Sequence, residues 1–167
     1  MTAQIPAIPD NVFTDAVNAF WNTRLSQAQA LTLAGKIDQG NRGSVTGGKQ
    51  MDGFLLTITN FLLESAVPQN HIHVKRSLTV SPGFFRPTKT YDFLVIDSEQ
   101  KQLKAVIELK SQVGSFGNNF NNRTEEAMGA ALDIWTAFRE GVFGKAPTPP
   151  WIGYLLLLED CPASTNP

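Results

Sequence analysis

The 167-residue chain carries 14 Lys and Arg against 15 Asp and Glu, a net charge of −1, and 42% of its residues are hydrophobic. This composition is typical of one globular domain over residues 1–167, and it excludes disordered, collagen-like and nucleic-acid-coating proteins. The single cysteine excludes an internal disulfide. No apolar segment has signal or membrane-spanning length, so we expect a cytoplasmic protein outside the membrane.

The net charge is unevenly distributed along the chain. Residues 1–89 hold eight Lys and Arg against five Asp and Glu (+3), whereas residues 90–167 hold six against ten (−4). Two interpretations of this uneven charge are equally good: ordinary surface variation, and a basic surface that leads to an acidic site.

Two helices are predicted in the first 67 residues. Apolar spacing of three and four, after a cap at Asp10, predicts a first helix with the stripe Phe13, Ala16, Val17, Phe20, Trp21 and Leu25. A glycine-rich loop over residues 35–50 follows. The stripe Met51, Phe54, Leu55, Ile58, Phe61 and Leu62 predicts a second helix that ends before Pro68.

The period of the apolar residues then changes to two, which predicts β-strands. A strand from His71 has the apolar face Ile72, Val74, Leu78 and Val80. Residues 90–97 and 103–110 predict a hairpin with a three-residue loop at 99–101 and the core-facing residues Leu103, Ala105, Ile107 and Leu109.

A helix and a strand complete the chain. After a loop rich in glycine and asparagine, Asn122 predicts a helix cap, with Glu125 at the third position. The predicted core stripe of this helix is Met128, Ala131, Leu132, Trp135, Phe138 and Val142. "WIGYLLLLE" predicts a fully buried strand. The element order predicts an α/β fold, a mixed four-stranded sheet flanked by helices (αβββαβ) with an extra N-terminal helix.

Three charges in the predicted hairpin require an explanation. Glu108 and Lys110 share one face of their strand, and residue numbers that sum to 200 place Asp92 opposite Glu108. Opposed carboxylates repel, so a cation between them is expected unless all three are ordinary surface charges. Mg²⁺ prefers such oxygen ligands, here Asp92, Glu108 and the main-chain carbonyl of Leu109, with Lys110 as a catalytic partner.

This arrangement resembles the PD-(D/E)xK nuclease superfamily. The segments "GGKQMDGFL", "PGFFRPTKTYDFLV", "IELKSQVGSFGNNFNNRTEEA" and "AFREG" are similar to type II restriction endonucleases of the XhoI kind. The resemblance implies a restriction-endonuclease-like core and Mg²⁺-dependent cleavage of double-stranded DNA at a palindrome, CTCGAG in the family. It also implies a homodimer and a cognate DNA methyltransferase in a restriction-modification system.

The resemblance adds Asp52, on the second helix, as a further candidate for the metal site, although a carboxylate there also suits the helix dipole. Relatives continue beyond the fourth strand, so we expect this chain to lack a C-terminal extension. A truncated, non-catalytic DNA-binding or dimerisation remnant and a repair nuclease with the same core remain alternatives.

DNA-contacting residues are predicted from side-chain chemistry. Phosphate contacts are expected from Lys36, Arg42, Lys49, Arg86 and Lys89. Base contacts are expected from Asn118, Asn119, Asn121, Asn122 and Arg123. Asparagine is also common in turns, and that interpretation is equally good for the four asparagines.

Overall fold

The computed structural model describes residues 7, 9–33, 35, 49–114, 116–144 and 148–165, without the side chains of residues 10 and 118–120. The chain divides into two compact units, residues 1–67 and 68–167. The predicted cap side chain of Asp10 and most of the predicted loop lie outside the described residues.

The N-terminal unit contains both predicted helices. Helix α1 spans Asp10–Leu33 and α2 spans Asp52–Glu64, preceded by a 3₁₀ turn at Lys49–Met51. Gly53 allows the helices to pack closely, because a Cβ there would lie 3.2 Å from the Cα of Ala16. Ala16 and Phe20 are buried as predicted, but Phe13 and Leu25 are exposed, so only the centre of the predicted stripe packs.

The C-terminal unit contains the sheets. Its strands are β1 (Ile72–His73), β2 (Val80–Pro82), β3 (Thr88–Thr90), β4 (Phe93–Asp97), β5 (Gln102–Gln112) and β6 (Trp151–Leu158). Among the described residues, four strands form a sheet in the order β1-β4-β5-β6, and β2 pairs with β3 separately. β5 is antiparallel to β4 and parallel to β6, which confirms the predicted mixed sheet.

The single strand predicted from His71 is wrong. The segment divides into β1, a 3₁₀ turn at Arg76–Leu78 and β2, and these strands belong to different sheets. The predicted apolar face is exposed at Leu78 and Val80, whereas Thr79 and Ser81 are buried. The alternation of apolar residues therefore predicted the wrong buried face, because the polar residues of this segment are the buried ones.

The β4–β5 hairpin follows the predicted register near its open end. Phe93 pairs with Ile107 and Val95 with Ala105, so the residue numbers sum to 200. The predicted three-residue loop is wrong, because Asp97 pairs with Gln102 across a four-residue turn and the register shifts beyond Val95.

The register shift also changes which side chains share a face of the sheet. The shift moves Leu103 to the side of Leu94 and Val106, where it packs on their cluster. Ile107 and Leu109 are buried on the other side, as predicted. Both faces of the hairpin therefore bury apolar side chains, and the predicted single core face holds for Ile107 and Leu109 but not for Leu103.

Helix α3 spans Phe116–Arg139, so it begins six residues before the predicted Asn122 cap. The Gln112 side chain at the end of β5 donates to the Phe116 carbonyl at 3.3 Å, which ties the start of the helix to the sheet. The asparagine-rich segment is therefore helical rather than a loop, and Asn122 lies within the helix.

The predicted core stripe of α3 is also wrong. The helix buries Ala130, Ile134 and Ala137, three positions at the spacing of one face, and exposes Met128, Leu132 and Trp135. The buried residues are mostly small, and Ala130 and Ile134 pack on Tyr91, Leu94 and Val106. The larger residues form the more hydrophobic stripe, so the pattern of hydrophobicity pointed to the exposed face.

Strand β6 exists as predicted but is not fully buried. It lies at one edge of the sheet within the described residues, and 62% of Trp151 is exposed. A short helix, α4, follows at Pro162–Thr165. None of the helices in the described part of the chain has both the length and the apolar character needed to span a membrane.

Candidate active site

Asp92 lies immediately before β4, where its carboxylate reaches across to β5. Its Oδ2 accepts a hydrogen bond from the Leu109 N–H at 2.8 Å and lies 3.7 Å from the Lys110 ammonium. The β4–β5 register therefore brings the three predicted catalytic residues together, since Lys110 also contacts Glu108.

Glu108 is a buried carboxylate held between two lysines. Lys110 donates to its Oε2 at 2.7 Å, and the ammonium of Lys89, from β3, pairs with its Oε1. Burial by itself would raise the pKa of Glu108, but the hydrogen bonds from Lys110 and Lys89 outweigh burial and hold the pKa below its usual value. Glu108 is therefore ionised at neutral pH.

Lys110 is correspondingly charged. Burial alone would lower its pKa, but the hydrogen bond to Glu108 and the nearby charges of Glu108 and Asp92 raise the pKa above the usual value. The cation expected between the two carboxylates is, in this structure, the Lys110 ammonium.

Two tyrosines border this charged group. Lys89 lies over the Tyr91 ring at 5.0 Å, and Tyr154 on β6 pairs in register with Glu108. Burial, followed by the charges of Asp133 and Glu108, raises the pKa of Tyr91. Burial and then the charge of Glu126 raise the pKa of Tyr154. Both phenols therefore stay neutral and keep the walls of the site free of additional charge.

A cavity of about 390 Å³ lies beside the site, lined by Arg86, Lys89, Asn122, Glu125, Glu126 and Gly129. It combines two predicted phosphate-contacting residues with one predicted base-contacting residue. Glu126 also accepts a hydrogen bond from Arg123 at 2.6 Å. The rim therefore carries charges of both signs.

The remaining predicted residues are less closely grouped. Asp52 and Lys49 lie at the start of α2 and in the turn before it, within the N-terminal unit. Asn121 is exposed on α3. Lys36 and Arg42, and the side chains of Asn118 and Asn119, lie outside the described residues.

Sequence reasoning missed three features of the site. It assigned Lys89 to phosphate contact alone, whereas its ammonium contacts the candidate metal ligand Glu108. Tyr154 was not singled out, because only the parallel register of β6 places it beside Glu108. Asp133 was also missed, although a charged residue within an apolar helical segment is a signal in itself.

The donor set fits a hard divalent cation. Among the described residues, no group of three or more His, Cys, Asp or Glu side chains converges, so a metal here would rely on two carboxylates. Mg²⁺ is commonly held by one or two carboxylates, with water and phosphate oxygens completing the shell. Two carboxylates and a lysine at one end of a hairpin are compatible with metal-assisted hydrolysis of a phosphodiester.

Comparison with known proteins identifies the family. The family described as "Restriction endonuclease XhoI" matches residues 30–167. The chain is 49% identical over 153 residues to the type II restriction enzyme AbrI of Azospirillum brasilense, covering 91% of this chain and 67% of that protein. It is 54% identical over 134 residues to BstVI of Geobacillus stearothermophilus, covering 78% and 59%. The chain belongs to the XhoI restriction endonuclease family.

A third relative extends this result. XhoI of Xanthomonas vasicola is 45% identical over 150 residues, covering 89% of this chain and 58% of that enzyme. The chain thus spans about three fifths to two thirds of the length of these relatives. No solved structure matched the chain.

Proposed function

We propose that this protein is a type II site-specific deoxyribonuclease that hydrolyses double-stranded DNA with Mg²⁺ as cofactor. The observation that carries this proposal is the convergence of Asp92, Glu108 and Lys110, joined by the direct contacts of Lys110 with both carboxylates. The names of the three relatives support a restriction enzyme. The proposed site is the palindrome CTCGAG, within a restriction-modification system that includes a cognate methyltransferase.

Asp92, Glu108 and the Leu109 carbonyl would hold the metal. The Leu109 N–H points to Asp92, and a strand residue directs its N–H and C=O to the same neighbour, so its carbonyl faces the same side. When bound, Mg²⁺ would polarise the scissile phosphate and activate a water. Asp52 is proposed as a further ligand on the resemblance alone.

The lysines would exchange partners during the reaction. Lys110 and Lys89 balance the charge of Glu108 in the metal-free protein. With the carboxylates engaged by a divalent cation, the Lys110 ammonium would orient the attacking water or neutralise charge on the phosphate. Lys89 would remain close enough to contact the same phosphate or its neighbour.

DNA would approach through the cavity beside α3. Arg86 and Lys89 line it and are suited to phosphate contact, and Lys36, Arg42 and Lys49 are proposed for the same role. Base contacts are proposed for Asn118, Asn119, Asn121, Asn122 and Arg123.

A restriction-endonuclease-like core is proposed for the arrangement of these elements. Helix α2, strands β1, β4 and β5, helix α3 and strand β6 follow the order αβββαβ, with the β2–β3 hairpin inserted. A homodimer is proposed for a palindromic site, since two-fold symmetric sites are commonly read by two-fold symmetric dimers. The exposed stripe Met128, Leu132 and Trp135 on α3 supports an additional protein contact.

Plasmid cleavage with Mg²⁺ tests the proposal. Mg²⁺-dependent cleavage is expected from the unaltered chain, and discrete fragments would favour a site-specific enzyme. Glu108→Gln is expected to abolish cleavage with DNA binding nearly intact. Glutamine keeps the shape of the side chain but removes the charge that would hold the metal. Cleavage by Glu108→Gln at a near-normal rate would contradict the assignment.

The same assay separates the alternatives. Retarded but uncut DNA with the unaltered chain would indicate a non-catalytic remnant of a restriction enzyme. Nicking confined to distorted DNA would indicate a repair nuclease.

A further inference from the structure

The β2–β3 hairpin presents two aromatic side chains to solvent. Pro82 pairs with Thr88, so residues 83–87 form its tip. Phe84 is 47% exposed and Phe85 is 63% exposed, and their rings meet edge to face with centroids 5.0 Å apart. Such exposure of two adjacent phenyl rings at a hairpin tip is unfavourable unless a ligand covers them.

A buried carboxylate holds this tip in place. Asp133 on α3 is fully buried, and its Oδ1 accepts hydrogen bonds from the Phe84 and Phe85 N–H groups at 2.9 and 2.8 Å. Its Oδ2 pairs with Arg86 Nε at 3.1 Å. Burying a carboxylate is costly unless it is paired, and these three partners of Asp133 all belong to the hairpin tip. The backbone that carries the two phenyl rings is therefore held by α3.

The tip is connected directly to the candidate active site. Strand β3 follows it and carries Lys89, which contacts Glu108, and the chain reaches Asp92 seven residues after Phe85. Seven extended residues span at most about 25 Å, which corresponds to about seven base steps of a duplex.

The charges beside the tip favour DNA as the ligand. Arg86 uses Nε on Asp133, and 43% of its side chain is exposed, so its guanidinium can meet a phosphate at the same time. Arg86 and Lys89 also line the cavity next to α3. Apolar side chains flanked by cations are the combination that inserts between base pairs while holding the backbone.

On the basis of the proposed DNA cleavage, we propose that Phe85 is a wedge that inserts between two base pairs within about seven steps of the cut phosphate. Phe84 supports the Phe85 ring edge-on. Asp133 acts as a positioning residue, because it fixes the tip before DNA arrives and so reduces the ordering cost of insertion.

Fluorescence of 2-aminopurine tests the insertion. The base analogue would replace each adenine in turn in a CTCGAG duplex with A·T-rich flanks, and the chain would be added in EDTA so that no strand is cut. Binding is expected to raise the fluorescence, because unstacking relieves quenching. Phe85→Ala is expected to remove this rise and weaken duplex affinity about tenfold, whereas Phe85→Leu keeps both, since leucine also serves as a wedge.

A control is Phe13→Ala, which removes from helix α1 a phenyl ring that is also exposed, 44% against 63% for Phe85. It is expected to leave both readouts unchanged. A duplex bound without a local fluorescence rise, or a rise that persists in Phe85→Ala, would overturn the wedge and leave the nuclease proposal intact. If the unaltered chain neither binds DNA nor cleaves plasmid with Mg²⁺, the nuclease proposal is overturned, and the wedge with it.

Discussion

Glu108 remains ionised although only 5% of it is exposed. The ammonium groups of Lys89, on β3, and Lys110, on β5, outweigh the cost of desolvating this carboxylate. Charge balance at this carboxylate therefore depends on residues that a divalent cation would displace. Metal binding and the rearrangement of Lys89 and Lys110 are thus expected to be coupled.

Asp92→Asn should weaken Mg²⁺ binding. Asparagine can still accept the Leu109 hydrogen bond, so the hairpin should keep its geometry while the site loses one negative charge. Isothermal titration of the chain with MgCl₂ measures the effect. Asp97→Asn, at the other end of β4, is the control, because its side chain accepts bonds from turn N–H groups that asparagine can also satisfy. Equal affinity in Asp92→Asn and the unaltered chain would place the metal elsewhere.

Lys110→Ala should slow the chemical step more than it weakens DNA binding, by about 10²-fold, because the ammonium would orient the water or neutralise charge on the phosphate. Single-turnover cleavage and duplex affinity separate the two effects. Lys104→Ala is a matched control, since this lysine on the same strand faces Asp97 at 3.9 Å, about 20 Å along β5 from Lys110. Equal losses of rate and affinity in Lys110→Ala would make Lys110 a phosphate clamp.

At the level of elements, α3 illustrates how packing can overrule a hydrophobic pattern. The stripe of Met128, Leu132 and Trp135 is the more apolar face, yet the helix buries Ala130 and Ile134 against the sheet. The small side chain of Ala130 allows a close approach of helix and sheet, and Asp133 on the buried face finds its partners in the β2–β3 tip. The exposed stripe is then available for another protein surface.

Two glycines should respond oppositely to substitution by alanine. A Cβ on Gly83 would overlap the Asp133 carboxylate and lie 2.9 Å from the Arg86 carbonyl oxygen, so Gly83→Ala should destabilise the fold by about 1–3 kcal/mol. Gly129, within α3, has nothing within 4 Å of its Cβ position, so Gly129→Ala should stabilise by about 0.5–1 kcal/mol. Urea denaturation of both variants measures the difference. Similar stability of Gly83→Ala and the unaltered chain would show that the tip is not held closely by Asp133.

At the scale of the whole molecule, the residues proposed to read bases all belong to helix α3. Of the residues proposed to read bases, Asn121 and Asn122 are exposed on α3, while Arg123 is paired with Glu126. Few described side chains near the site are therefore both suited to base edges and unengaged in an ion pair.

The chain should consequently bind CTCGAG with little preference over other DNA. Affinities for the cognate duplex and a scrambled one, measured at the same salt concentration because phosphate contacts are salt-dependent, give the ratio. The scrambled duplex keeps length and composition and so serves as the control. A preference of about a thousandfold or more would show that these residues contain the reading surface.

The sequence by itself determined the helix and strand periods of α1, α2 and β6, the β4–β5 register at its open end, and the convergence of Asp92, Glu108 and Lys110. These features depend on local spacing and on one hairpin, where alternation and a short connection leave few arrangements. Only the tertiary structure decided which face of α3 is buried, that the strand predicted from His71 is divided between two sheets, and that Lys89 and Tyr154 lie beside Glu108. Those outcomes depend on contacts between elements distant in the chain, where shape and charge balance outweigh the local hydrophobic pattern.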